Sequence, residues 1–452
     1  MNIVELTRKL AAIDSSISHG TCDIVNYAVE LCNRWSLNFE VVPETINGIH
    51  NANLIIRPDE NASNEDLLFI SHLDTSDPGE YGRWVRTGAN PFNASLDGDN
   101  IYGLGIANAK ADFACKLIAF KEIQEVKQKH NKTSVLNPVL VSTFGLSSGF
   151  GAIRLIRKKK VNPKAVIVSG PTNLEIANRG PGYAKVEVTI PFSHEEKEYH
   201  DRHNFSEVSV SQSKVFSRPN SERISLDFFD NPIIKLIDYL KNLPTGISVL
   251  SIDGGANAET EPDMAYLELN IVDGIQQGVI SKLIKIGEAL KDLSVDFKKI
   301  PQLANVEVPS KIILGSVRTH PEEIKLSGVC KLAPVGKEDL YSVWIEKLRT
   351  ACKNTGADFK IIDFKEPFIT DEKSHFVSSL KEISSSLNLP STLRSSHECT
   401  EANIYSRMNK DTIVYGAGEL KGLKHSSEES VTVQQLEHAT AFYRKTLERY
   451  CI

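Results

Sequence analysis

The segment Leu67-Leu-Phe-Ile-Ser-His72-Leu-Asp74 constrains this chain more than any other. Leu67–Ser71 is apolar almost without interruption and shows no alternation, the pattern of a parallel strand covered on both faces. Such strands belong to α/β sheets, where ligands bind beyond the carboxyl ends of the strands. The run ends in a His-x-Asp pair placed where a ligand would be met. Taken alone, a strand-end histidine such as His72 is more often a structural residue with its hydrogen bonds satisfied than a ligand, so the surrounding pattern has to decide.

That pattern alternates. A helical N-terminus with Ile3, Leu6, Leu10 and Ile13 on one face is followed by a strand at Asn53–Arg57 and the strand at Leu67–Ser71. A helix at Ala109–Val126, a strand at Val139–Thr143, a helix at Phe150–Lys159 and a strand at Ala165–Ser169 continue the order. It predicts an α/β fold, a mostly parallel sheet flanked by helices. After Gly180 the pattern becomes one-sided. Tyr183–Ile190 alternates, helices are predicted at Pro232–Leu243 and Val279–Leu293, and strands at Val249–Ile252 and Ala265–Val272. A strand–helix–strand unit fits Gly328–Leu332, Leu340–Cys352 and Phe359–Phe364. Half-exposed strands mixed with helices predict an α+β domain inserted into the first fold. The expected division is 1–180 plus 370–452 for the α/β domain and 181–369 for the insert. The polar stretch from His194 to Asn204 reads as a mobile loop, and the last segment returns to the first pattern with a strand at Thr412–Tyr415 and a helix at Val433–Tyr450.

Composition removes several classes of function. With 452 residues the chain is too long for one ordinary core. A net charge of −6 argues against nucleic-acid or membrane-surface partners, and Arg157-Lys158-Lys159-Lys160 reads as a solvated helix end. No window approaches the roughly 18 to 20 apolar residues that span a bilayer, and the acidic residues of the N-terminus do not fit a signal peptide. The seven cysteines are scattered without a Cys-x-x-Cys pair, which excludes a cysteine-only zinc site and points to a reducing, cytoplasmic setting.

Three further stretches carry a resemblance. PFNASLDGDNIYGLGIANAKADFACKLIAF follows the His-x-Asp pair, VYGAGELKGLKHSSEESVTVQQLEHATAFY lies near the C-terminus, and IDGGANAETEPDMAYLEL lies in the inserted region. In order and spacing the chain resembles the zinc-dependent metallopeptidase family of acetylornithine deacetylase, succinyl-diaminopimelate desuccinylase and aminoacylase. That likeness implies a zinc-exopeptidase-like catalytic domain with an inserted lid and dimerisation domain, hence a homodimer formed through the insert. It also implies amide hydrolysis by two zinc ions that share a bridging carboxylate and a water, with a glutamate as general base.

Carried over residue by residue, the likeness divides. His72 matches the first metal ligand and Asp74 the aspartate that orients it. His425 matches the last ligand. The bridging aspartate falls on Asn108, whose amide cannot supply an anionic bridge. The Glu-Glu pair of general base and ligand falls on Ser147 and Ser148, and the acidic ligand of the Glu-Pro-Thr segment falls on Gly170. Two imidazoles do not hold a di-zinc centre, since zinc sites use three or four protein ligands. The lid histidine falls on Phe216. The Asp-x-Arg strand that takes the substrate carboxylate falls on Asn270–Val272, with Lys331 as an alternative cation. Thr400 and Glu401 match a Thr-Asp/Glu-Ala element that lines the substrate pocket. His397, Glu398 and Cys399 beside them are chemically able to bind metal or act as nucleophile and base, though an ordinary pocket wall is the plainer reading. The histidines of the stretch from His194 to His203 are further candidates, and Lys110 reads as a cap of the following helix.

The expectation is therefore a peptidase-like protein with a dismantled di-zinc centre. It would need no cofactor and would bind an amino-acid, peptide or N-acyl ligand in an interdomain cleft. Two alternatives stand beside it. One is an enzyme with a rebuilt site performing metal-independent acyl or amide chemistry around His72, Asp74 and His425. The other is a zinc amidohydrolase with ligands recruited from elsewhere.

Overall fold

Parallel strands that are buried on both faces need helices above and below them, and this requirement organises the first part of the chain. The computed structural model describes residues 1–57, 65–130, 136–145, 148–204, 212–218, 227–272, 274–299, 310–334, 339–418 and 429–451. The chain divides into two compact units: Met1–Pro181 with Pro367–Ile452, and Gly182–Glu366.

The first unit opens with α1 (Ile3–Ala11) and α2 (Cys22–Arg34). The Asn2 side chain caps α1 by accepting from the Glu5 amide at 2.8 Å. Strands β1 (Asn38–Ile46) and β2 (Ile49–Arg57) form a hairpin whose two turn residues, Asn47 and Gly48, both have positive φ. Asn-Gly is the pair that such a two-residue turn favours. There follow β3 (Asp66–His72), the short β4 (Ser95–Asp97) and β5 (Asn100–Tyr102), α3 (Ala111–His130), β6 (Asn137–Thr143), α4 (Phe150–Arg157), β7 (Pro163–Ser169) and β8 (Ile176–Gly180).

The second unit contains β9 (Gly182–Pro191), α5 (His194–Asn204), β10 (Gln212–Ser217), α6 (Pro232–Leu240), β11 (Ser248–Gly254) and β12 (Met264–Asn270). It continues through α7 (Gly278–Lys298), β13 (Lys311–His320), β14 (Glu323–Leu332), α8 (Asp339–Thr355) and β15 (Asp358–Lys365). The chain then returns to the first unit with β16 (Phe368–Ile369), α9 (His375–Ser386), β17 (Leu393–Ser395), α10 (Ala402–Ser406), β18 (Asp411–Tyr415), β19 (Ser430–Thr432) and α11 (Val433–Cys451).

The main sheet of the first unit runs β1-β2-β6-β3-β7-β18-β8-β16, with β17 beside β8. Its centre, β6-β3-β7-β18, is parallel throughout. The mostly parallel α/β class read from the sequence is the observed one. Every residue of β3 is buried, and Phe69 packs edge-on against Phe120 of α3 and Tyr443 of α11 at 5.5 and 5.8 Å between ring centroids. Burying each such aliphatic or aromatic side chain is worth about 1.5–3 kcal/mol, so the central strands anchor the unit.

The second unit has one sheet, β10-β12-β11-β13-β14-β9-β15, whose strand neighbours are all antiparallel. β9 alternates buried and half-buried residues along its whole length, as the sequence alternation predicts. The stretch from His194 to Asn204, expected as a loop, is helical. Ser193 and Glu196 form a reciprocal capping box, in which the Ser193 hydroxyl accepts from the Glu196 amide and the Glu196 carboxylate accepts from the Ser193 amide. That box was present in the sequence as Ser-x-x-Glu, and it outweighs the polarity of the segment.

Candidate functional site

The carboxyl end of β3 delivers His72 to the place the strand pattern predicts. The ring is buried. Its Nδ1 lies 3.0 Å from the Asp74 carbonyl oxygen and 3.5 Å from the Asp74 carboxylate. The main chain of Asp74 is thus the nearer partner, and the carboxylate Oδ2 accepts from the Gly145 amide at 2.9 Å. The Asp74 carboxylate thus stands beside the ring, with the carbonyl of the same residue nearer. Burial acts most strongly on His72 and works against its charged form, but the hydrogen bond and charge of Asp74 and the charge of Glu401 together outweigh it. The ring therefore ends above the ordinary histidine value.

Glu401 arrives from the loop before α10. Its carboxylate is buried and accepts from the Thr143 hydroxyl at 2.8 Å. Thr143 ends β6 and pairs with His72 in the parallel ladder, so two strand ends and the residue before α10 converge on one charged cluster. Thr400 lies just before the same short helix, its hydroxyl accepting from the Ala402 amide and its own amide donating to the Asn403 side chain. Thr400 also lines a cavity of about 20 Å³ together with Gly170, Arg394, Ser395, His397 and Val414, large enough for roughly one water. In it Arg394 Nη2 donates to His397 Nε2 at 2.6 Å, and Arg394 Nη1 reaches Glu175 at 3.0 Å.

Gly170 follows β7 directly. A Cβ at this position would meet Val414 Cγ1 at 2.4 Å. Ser148 precedes α4; its hydroxyl donates to the Gly145 carbonyl at 2.8 Å and accepts from the Phe150 amide at 3.3 Å. Asn108 lies on a π-helical turn, Ile106–Lys110, that leads into α3. The side chain of Asn108 and the whole of Ser147 and His425 lie outside the described residues. Gly105 before this turn has φ 74°, and a Cβ there would meet Thr75 Cγ2 at 2.3 Å, so the position accepts no larger residue without rearrangement.

Other expectations are corrected. Lys110 does not cap α3; its ammonium is buried and donates to the Ile13 carbonyl at 2.8 Å. Burial pushes its pKa down to about 8 against the pull of Glu429 and Asp14. The cap is Glu429, whose two carboxylate oxygens accept from the amides of Gly105 and Ala107 at 3.1 and 2.9 Å. His397, Glu398 and Cys399 lie in the loop after β17. Phe216, Asn270 and Lys331 belong to the second unit. Phe216 packs against Tyr239 at 5.6 Å, Asn270 accepts from the Val272 amide at 3.0 Å, and Lys331 stands opposite Lys311 and Tyr183 in β14. Histidines 194 to 203 are also in the second unit, on α5.

Sequence reasoning missed Asp112 and Lys116. Both are buried in α3 and paired at 2.9 Å. Their signal was two opposite charges spaced i,i+4 in the first part of a helix where their neighbours are nearly all apolar.

Comparison with known proteins agrees with this geometry. The family model for peptidase family M20/M25/M40 matches residues 68–449. The chain belongs to this family. Among curated M20 relatives, acetylornithine deacetylases from Pectobacterium carotovorum subsp. carotovorum and Pectobacterium atrosepticum are each 27% identical over 188 residues. Each match covers 41% of this chain and 45% of the relative, so the match spans less than half the length of either protein. Solved M20-type folds cover nearly everything. A tripeptidase from Staphylococcus aureus superposes with a TM-score of 0.60 at 12% identity, covering 99% of this chain and 97% of its own. An M20 family metallo-carboxypeptidase from Sulfolobus solfataricus gives 0.59 at 15%, covering 100% and 99%. At these identities the superpositions establish the fold. Among the described residues no group of three or more His, Cys, Asp or Glu side chains is arranged to hold a metal ion, and no helix is long and apolar enough to cross a membrane.

Proposed function

We propose that this M20-family chain has a dismantled di-zinc centre and binds an amino-acid, peptide or N-acyl ligand without hydrolysing it. The observation that carries this reading is the donor set at the strand ends. Of the family's ligand positions that are described, His72 offers an imidazole, Ser148 offers a hydroxyl engaged with Gly145, and Gly170 offers no side chain. A zinc site needs three or four protein ligands, and neither serine replaces a carboxylate as general base near neutral pH. The pocket wall persists nonetheless: Thr400, Glu401 and the cavity beside Gly170 keep polar groups facing the strand ends. The acyl-amino-acid class of ligand follows from family membership and from the name of the acetylornithine deacetylase relatives. The reading extends to a cytoplasmic protein that dimerises through its inserted region, with no nucleic-acid or membrane partner.

A second reading is favoured by the partners of His72. An imidazole bonded to Asp74 and under the charge of Glu401 is equipped for general acid–base work on a positioned substrate, and this would make the protein an enzyme without metal.

Metal content of the untagged protein, measured by mass spectrometry after zinc incubation and dialysis, separates the readings when paired with a hydrolysis assay on N-acetyl amino acids. We expect zinc far below one ion per chain, no hydrolysis, and a thermal shift with N-acyl amino acids. Two tightly held zinc ions per chain would overturn the proposal. Metal-free turnover abolished by His72→Ala would establish the second reading.

A further inference from the structure

The buried charges of α3 meet the sheet at its most informative place. Lys116 has no exposed surface, and its ammonium donates to the Ile70 carbonyl at 2.9 Å, to Ser169 Oγ at 2.7 Å and to Ser71 Oγ at 3.3 Å. Its ion partner Asp112 accepts from the Ser169 hydroxyl with one oxygen and from the Tyr443 hydroxyl at 2.5 Å with the other. Ser71 and Ser169 lie within 2.6 Å of each other. The Tyr443 hydroxyl also lies 3.0 Å from the Tyr415 carbonyl, and the Gly416 backbone passes so close that a Cβ there would meet Asp112 Oδ1 at 2.9 Å.

These contacts tie together β3, β7 and β18, three adjacent strands of the sheet, at their carboxyl ends. They also join α3 to α11 across that end. The tied residues are the immediate neighbours of site positions. Ser71 precedes His72, Ser169 precedes Gly170, and Tyr415 and Gly416 begin the segment that continues toward His425.

A lone apolar contact could hold the strands together but would not fix the direction of their last carbonyls and hydroxyls. An ammonium with three donors and a carboxylate with four lone-pair sites do so, because each bond is directional. Burying two ions is costly, and an ion pair in a core is often no more stabilising than an apolar replacement. Its presence here therefore calls for a role other than stability. We propose that Asp112 and Lys116 are positioning residues, an internal ionic cross-link that sets the strand ends from which the candidate site is built. This does not depend on whether the site holds metal or a ligand.

The test uses the full chain carrying Asp112→Leu/Lys116→Met, which removes both charges and leaves neither ion unpaired. Hydrogen–deuterium exchange is followed in peptides covering 68–76, 166–174 and 412–418, with 49–57 from β2 as control. The expected result is exchange at least tenfold faster in the three site peptides and unchanged in the control. Acceleration below twofold in all three, or equal acceleration in the control, overturns the proposal, since the pair would then be idle or merely stabilising. Should the double variant fail to fold, Ser169→Ala removes one hydroxyl of the network in its place. It should speed exchange of 166–174 at least threefold while leaving the control alone, and an unchanged rate overturns the proposal equally.

Discussion

The two units differ in where their buried polar groups collect. In the second unit, buried polar side chains satisfy isolated pieces of backbone. Gln277 accepts from the Val249 amide at 2.6 Å and donates to the Val249 carbonyl at 2.8 Å. Asn231 serves Ile233 and Leu314, and Glu196 serves Ser193 and Val279. Each of these closes a local account of donors and acceptors. In the first unit some buried polar groups also serve backbone, as Lys110 does for Ile13, but eight gather at one end of the parallel strands, several bonded to one another: Ser71, His72, Asp74, Asp112, Lys116, Thr143, Ser169 and Glu401. A core that needs only stability has no reason to collect three carboxylates, an ammonium and an imidazole in one place. The contrast singles out the carboxyl end of the first unit's parallel strands without reference to any ligand.

The largest effect should come from breaking the first unit's ion pair on one side only. Lys116→Met leaves Asp112 buried without its ammonium, and loss of one partner of a buried pair costs about 3–5 kcal/mol. Fluorine NMR of fluorotryptophan-labelled protein in a denaturant series can separate the units, because Trp35 and Trp84 lie in the first and Trp344 in the second. The Trp35 and Trp84 signals should shift their midpoints well before that of Trp344. Coincident shifts of all three would show that the pair is not local to its unit.

A smaller loss is expected in the second unit. Gln277→Ala strands the amide and carbonyl of Val249, and a buried group left unsatisfied costs about 1–3 kcal/mol. The Trp344 midpoint should report it, and a cost matching that of Lys116→Met would erase the distinction drawn between the units.

The smallest effect is a dependence on pH. His200 of α5 is buried and stacks on Phe192 at 4.4 Å, and no described residue hydrogen-bonds its Nε2. Burial lowers its pKa below the ordinary value; Glu196 and Asp201 pull it upward and His203 pushes it down further. Below the ordinary histidine value of about 6.5, the unfolded chain takes up a proton that the folded chain resists. Stability of the second unit is therefore fully present above that pH and falls as pH drops toward the folded value. His200→Phe should flatten the dependence of the Trp344 midpoint between pH 7 and 5, and an unaltered slope would assign it to other groups.

Much of the scaffold was legible from local pattern. The unbroken apolar run of β3 announced a two-sided parallel strand, and the alternation at Tyr183–Ile190 announced a one-sided one. Both signals depend only on where successive side chains point along a strand. The helix at α5 was hidden by its polarity even though its capping box could be read, and the β1–β2 hairpin carried an Asn-Gly turn in plain view. The site was legible only as a set of positions. His72 stands where the strand pattern placed it, but its nearest partner is the Asp74 carbonyl, and no spacing rule distinguishes a carbonyl from the carboxylate of the same residue.

By itself, then, the sequence determined the class of fold and the strand end at which to look. Those are properties of periodicity and of single residues. Only the tertiary structure decided that Lys110 reaches Ile13, that Glu429 caps the turn before α3, that Glu401 is bound to Thr143, and that Asp112 and Lys116 knit three strand ends together. Each of these contacts joins residues brought together by the crossing of helices over a sheet. Their free energy depends on burial and on bond direction, which the linear order of residues does not carry.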